Sequence, residues 1–75
     1  MCKLDSHSTV QLSKRQREVL EWIAAGKTDW EIAAILRISR RAVKFHLEQG
    51  RKKLNATNRA HAVARAIALG LIDVT

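Results

Sequence analysis

The chain contains no proline and only three glycines, at positions 26, 50 and 70, in 75 residues, so little in it interrupts a helix except its own capping residues. Proline and glycine disfavour a helix interior by ~3 and ~1 kcal/mol relative to alanine; where they are scarce, helix starts fall where a side-chain oxygen can take the first free N–H groups. Ser13 followed by Gln16, and Thr28 followed by Glu31, have capping-box spacing, and Ser39 and Asn58 are further N-cap candidates. Behind each, apolar residues recur at helical spacing.

This pattern predicts an all-α, compact four-helix bundle with helices over about 14–25, 29–36, 40–54 and 59–70. The first buries Val19, Leu20, Ile23 and Ala24 and stops at a left-handed Gly26. In the second, Ile32, Ile35 and Leu36 form the buried stripe, and Asp29 and Glu31 complement the positive helix end. The third turns Val43, Leu47 and Leu54 inward with His46 and Gly50 beside them, leaving Arg40, Arg41, Lys44, Phe45, Glu48 and Arg51 outward. The segment 55–58 breaks the pattern. The fourth helix offers Val63, Ala66, Ile67 and Gly70 as its core face, with Leu71 and Ile72 closing its end. Residues 1–10 carry no periodicity and read as a leader or interdomain linker before a domain at 11–75.

A chain this short is one small domain that buries roughly 60% of its unfolded surface, too little to enclose a large ligand. Cys2 is the only cysteine, which excludes a disulfide and a Cys-based zinc site within the chain and suits a reducing compartment. The apolar stretches 32–36 and 66–72 fall far short of the ~20 residues of a membrane span. Residues 1–10 have no apolar core of a signal peptide. The protein reads as soluble and intracellular.

The net charge is +7, and its distribution says more than its total. Residues 14–31 hold four bases and four acids, whereas residues 37–53 hold seven bases and one acid, Glu48. A basic stripe of this kind suits a nucleic acid, an anionic membrane surface or plain solvation, so architecture must choose among them. The second and third predicted helices are joined by a turn of about three residues. A helix-turn-helix joins its helices steeply through such a turn, needing a small residue at the crossing and apolar residues around it. Ala33 fits the crossing, with Ile32, Leu36, Ile38 and Val43 around it. Arg37 stands where many such motifs have a glycine, and a wider or differently angled turn is the expected accommodation. The B-DNA major groove admits one α-helix and is flanked by phosphates, so double-stranded DNA is the expected partner.

Leu12 to Leu20, Gly26-Lys27-Thr28, Glu31-Ile32-Ala33 with Leu36, Ile38-Ser39, Val43-Lys44-Phe45-His46, Lys53-Leu54, Asn58-Arg59-Ala60, Ala62-Val63 and Gly70-Leu71-Ile72 together resemble the LuxR-type, GerE-like DNA-binding domain over residues 12–72. The resemblance implies a four-helix bacterial transcription regulator whose third helix enters the major groove and whose last helix pairs two subunits. The segments 26–32 and 55–59 look most like the quorum-sensing branch. Such proteins carry an N-terminal acyl-homoserine-lactone domain, so the lactone is expected outside this domain and no cofactor within it; the chain is then the C-terminal part of such a regulator, with a stand-alone effector as the alternative. Gln16 departs from the family's usual glutamate, removing a charge that could pair with a nearby base. Ala42 replaces the usual threonine, removing one hydroxyl near phosphate.

Carried over by position, Lys44, Phe45 and Glu48 are the implied base readers. Lysine donates to guanine O6 and N7, a carboxylate accepts from cytosine N4, and an aromatic edge rests on a thymine methyl. Arg40 and Arg41, in the first turn of the third helix, reach phosphate or a base; Arg40 is assigned to phosphate and Arg41 to a base. Thr28 and Ser39 are caps first and phosphate ligands second, and Trp30, Arg51 and Lys52 complete the phosphate set. Lys53 falls to solubility or the negative helix end. His46 is expected to be structural, since no other histidine is spaced to join it at a metal. Trp22 is expected at the bundle edge. Ala60, Ala64 and Ala68 form a small-residue stripe that suits close approach of a second subunit on DNA.

No paired carboxylates, nucleophile with a base or glycine-rich phosphate loop is present, so catalysis is not expected. Two alternatives stay open. A sigma-factor region 4 shares the helix-turn-helix and the 12–20 pattern and would sit on promoter DNA within RNA polymerase, though the fourth helix continues past its expected end. A basic amphipathic module for a partner or membrane surface would need a wider apolar side on the third helix. RNA polymerase is a further expected partner of a promoter-bound regulator.

Overall fold

The structure, a computed structural model, describes residues 10–73. Four helices follow one another: α1 (Lys14–Ala24), α2 (Asp29–Leu36), α3 (Arg40–Lys53) and α4 (Arg59–Ala68). Each starts at the residue whose side chain can satisfy a free N–H. Ser13 and Thr28 form complete capping boxes with Gln16 and Glu31. Ser39 accepts from the Ala42 N–H at 3.0 Å and Asn58 from the His61 N–H at 2.8 Å. The expected leader lies outside the described residues apart from Val10, which is half-buried against the core.

The helix ends share one device. In every case a residue with positive φ follows the helix, and the next N–H bonds back to the carbonyl five residues earlier: Lys27 to Trp22, Ile38 to Ala33, Ala56 to Arg51 and Leu71 to Ala66. The left-handed residues are Gly26, Arg37, Asn55 and Gly70, with φ of 90°, 59°, 54° and 71°. This six-to-one closure satisfies carbonyls that the helix leaves free. It corrects the expectation of a wider turn at Arg37. The turn keeps three residues, 37–39, because Arg37 adopts the left-handed conformation itself, at a cost of order 1–2 kcal/mol for a residue with a Cβ. It also stops α4 at Ala68, two residues before the expected end.

Helices α1 and α3 each contact all three other helices, whereas α2 and α4 do not pack on one another. Val19, Leu20, Ile32, Val43 and Leu54 are completely buried at the centre, and each such side chain is worth roughly 1.5–3 kcal/mol relative to exposure. Ala33, the small residue expected at the crossing, is buried on α2, which packs on α3. Leu71 and Ile72 fold back on the core and Trp22 lies half-buried at its edge.

Two inward faces differ from the sequence expectation. Ile35 is exposed rather than buried; a helix of eight residues resting mainly on α3 has room for one narrow contact stripe, which Ile32, Ala33 and Leu36 fill. In α4 the inward residues are Ala62 and Ala66, both fully buried, while Val63 is half-buried and Ile67 and Gly70 are exposed. Alanines facing α1 and α3 let the fourth helix come close, and the larger Val63 and Ile67 are rotated to the rim.

Candidate nucleic-acid interface

The N-terminal ends of α2, α3 and α4 converge on an open groove lined by Lys27, Thr28, Asp29 and Trp30, by Arg40, Arg41 and Lys44, and by Arg59. Three helix ends with partial positive charge and five basic side chains therefore face one concavity. Arg40, Arg41 and Arg59 occupy the first turns of α3 and α4, where the helix dipole disfavours a cation. Such a placement costs the free protein stability and favours an anionic ligand.

Asp29 is the one acid of the groove, and Arg59 neutralises it. The Arg59 Nη2 donates to both carboxylate oxygens, at 2.9 and 3.1 Å. This pair joins α2 to α4 in place of packing. Trp30 is 67% exposed, so its indole offers a flat apolar face at the groove edge. The Thr28 hydroxyl accepts from the Glu31 N–H and lies 3.3 Å from the Glu31 carboxylate as donor. The Thr28 N–H donates to the same carboxylate and holds Glu31 below its ordinary carboxyl range. Ser39 accepts as a cap and is exposed to solvent.

A second hollow continues along α3, lined by Lys44, Leu47, Glu48, Arg51, Thr57, Asn58 and Arg59. Here Arg51 donates from Nη2 to Glu48 Oε1 at 2.8 Å and from Nη1 to the Ala56 carbonyl at 2.7 Å. Hydrogen bonds from Arg51 hold the Glu48 carboxyl below its ordinary range.

The structure thus gathers Thr28, Trp30, Arg40, Arg41 and Lys44 of the expected contact residues around one groove and puts Glu48 and Arg51 in the adjoining hollow. Ser39, Phe45 and Lys52 are exposed but line neither. Phe45 is 58% exposed and meets the half-buried His46 ring edge-on at 5.5 Å. Ala60, Ala64 and Ala68 are exposed on α4. Lys27 and Arg59 escaped the sequence reading. The signal for Arg59 was available, since a cation directly after the Asn58 cap repeats the arrangement of Ser39 and Arg40. Among the described residues no three His, Cys, Asp or Glu side chains are grouped so that they could hold a metal, and no helix is long and apolar enough to cross a membrane.

A three-residue turn between α2 and α3, with a cationic groove at the start of the second of these helices, defines a helix-turn-helix DNA-binding domain. Residues 3–66 match the family model GerE, described as "Bacterial regulatory proteins, luxR family", and the chain belongs to that family. It is 55% identical over 62 residues to the HTH-type quorum sensing-dependent transcriptional regulator RpaR of Rhodopseudomonas palustris, covering 83% of this chain and 26% of that protein. It is 44% identical over 69 residues to the transcriptional activator protein LuxR of Aliivibrio fischeri, covering 92% of this chain and 28% of that one. The chain spans about a quarter of the length of the curated relatives it matches. Among solved structures, the transcription factor GerE superposes with a TM-score of 0.82 at 25% identity, over 85% of this chain and 96% of that one. Escherichia coli SdiA superposes with a TM-score of 0.77 at 48% identity, over 83% of this chain and 26% of that one. These relatives are regulators, and the domain is a DNA-binding domain of the LuxR type.

Proposed function

We propose that this domain reads promoter DNA for a bacterial quorum-sensing transcription regulator, with α3 in the major groove and two copies on a pseudo-palindromic site. The single observation that carries the reading is the groove in which Lys27, Arg40, Arg41, Lys44 and Arg59 surround the first turn of α3. Cations there would grip the phosphates flanking the major groove while the exposed face of α3 enters it. Pairing through α4 is supported by the exposed Ala60, Ala64 and Ala68 beside the half-buried Val63 and the exposed Ile67. With Ile67 exposed and Val63 only partly covered by the core, this stripe is more apolar than alanines alone would make it.

The effector, an acyl-homoserine lactone, would bind outside this domain, and the regulator would act in the cytoplasm on the nucleoid with RNA polymerase as a further partner. Support for this part is the naming of RpaR as quorum sensing-dependent and of LuxR as a transcriptional activator. The test of DNA binding is titration of a labelled duplex at several salt concentrations. The expected affinity falls steeply with salt, by about 0.9 in log K per decade for each phosphate contacted. Affinity indifferent to salt, or preference for anionic vesicles over duplex, overturns the reading.

A further inference from the structure

Glu48 is the only acid between residues 37 and 53, and it lies one helical turn beyond Lys44 on the same side of α3, where both line the second hollow. A bare carboxylate there would be repelled by every phosphate that Lys44 and the arginines attract. Its neighbour removes that penalty in a particular way. Arg51 donates from Nε to Glu48 Oε2 at 3.2 Å and to Oε1 at 3.3 Å, and from Nη2 to Oε1 at 2.8 Å. Its Nη1 donates to the Ala56 carbonyl at 2.7 Å. Each of the three guanidinium nitrogens already holds a protein acceptor, and the Arg51 side chain is only 25% exposed against 51% for Glu48.

The base is thus tied down through three of its five N–H groups, and the acid is the more exposed partner. The anchor is fixed, because Ala56 is buried and its own N–H donates back to the Arg51 carbonyl at 3.1 Å. Of the two carboxylate oxygens, Oε1 takes two bonds, including the shortest, whereas Oε2 takes one. Since a carboxylate oxygen has about two acceptor sites, Oε2 keeps one for a donor outside the protein.

We infer that Arg51 is a positioning residue rather than a phosphate ligand, and that it holds Glu48 as an acceptor-only reader of one cytosine. This rests on the DNA-binding reading above. In the major groove cytosine presents only its N4 amino donor, whereas adenine sets the N7 acceptor beside N6 and guanine presents acceptors alone. An ionised carboxylate therefore favours cytosine and is repelled at guanine. Four residues along a helix advance about 6 Å, close to two base-pair steps of 3.4 Å, so the cytosine lies about two base pairs from the pair contacted by Lys44.

The experiment selects sites for the full 75-residue chain from a random duplex pool. Single-position variants of the selected duplex are then measured with wild type, Lys44→Ala, Glu48→Gln and Arg51→Met at several salt concentrations. Wild type is expected to favour cytosine at one position by roughly tenfold or more. Glu48→Gln is expected to move that preference to adenine, which glutamine matches through N6 and N7. Arg51→Met is expected to erase most of the cytosine preference while the salt slope stays unchanged. A slope reduced by about 0.9 on every duplex, with base preference intact, makes Arg51 a phosphate contact and overturns the assignment. If thermal melting shows Arg51→Met unfolded, Glu48→Gln decides alone, since it leaves the bond to Ala56 in place; an unaltered base preference in that variant sinks the proposal. Failure of wild type to bind any duplex in a salt-dependent manner is a different result, which removes the DNA reading itself.

Discussion

Lys53, in the last turn of α3, donates from Nζ to Gln16 Oε1 at 3.0 Å and to the Gln11 carbonyl at 3.2 Å. The same Gln16 oxygen accepts from the Ser13 N–H at 2.9 Å, so one atom closes the capping box of α1 and ties the end of α3 to it. Gln16 is 7% exposed, the one polar side chain that is buried among the described residues.

A carboxylate at position 16 would keep both bonds and make the one from Lys53 charge-assisted, at the cost of partial desolvation. Gln16→Glu is expected to stabilise the domain by about 0.5–1 kcal/mol, read as a rise in melting temperature of a few degrees. Lys53→Ala should lower stability by about 1 kcal/mol and leave the salt slope of DNA binding unchanged. A reduced slope in that variant would show that Lys53 reaches phosphate.

Arg37 carries its left-handed conformation without the freedom of glycine. Arg37→Gly should therefore stabilise the fold by about 0.5–1 kcal/mol, the relief of strain being partly offset by the larger entropy of a glycine when unfolded. Chemical denaturation measures it. A destabilised variant would mean that the Arg37 side chain makes a contact worth more than the strain.

Lys44 and Arg40 both line the groove but should differ in what they read. Lys44→Ala is expected to cost about 1–3 kcal/mol of binding and to relax preference at one base pair per half-site. Arg40→Ala should weaken all duplexes alike and lower the salt slope by about 0.9. Equal, sequence-independent losses in both variants would leave Lys44 as a phosphate contact only.

On α4, Ala64 sits in the exposed stripe with Ile67 and Ala68. Two copies paired there would require half-sites about one helical turn, roughly 34 Å, apart. Ala64→Glu should abolish cooperative binding to a two-half-site duplex while melting temperature and half-site affinity stay near wild type. Cooperative binding that survives with the same spacing preference moves the subunit contact away from α4.

The sequence by itself determined the four helices and where each begins. A capping side chain and the N–H groups it satisfies lie within three residues, so Ser13, Thr28, Ser39 and Asn58 carry their structural meaning locally. The glycine stop at residue 26 was legible for the same reason. Arg37 and Asn55 were not, because a residue with a Cβ takes the left-handed conformation only when the closing bonds and packing outweigh its strain. The outward cations of α3 were visible in the helical period. Their assembly with Lys27 and Arg59 was not, since it depends on how α2 and α4 are placed around α3. Similarly, Ile35, Val63 and Ile67 are apolar at helical spacing, yet which of two adjoining faces turns inward is a matter of interhelical fit. Alanines 62 and 66 allowed the closer approach, and only tertiary packing selects the rotation in which the small side chains face the core.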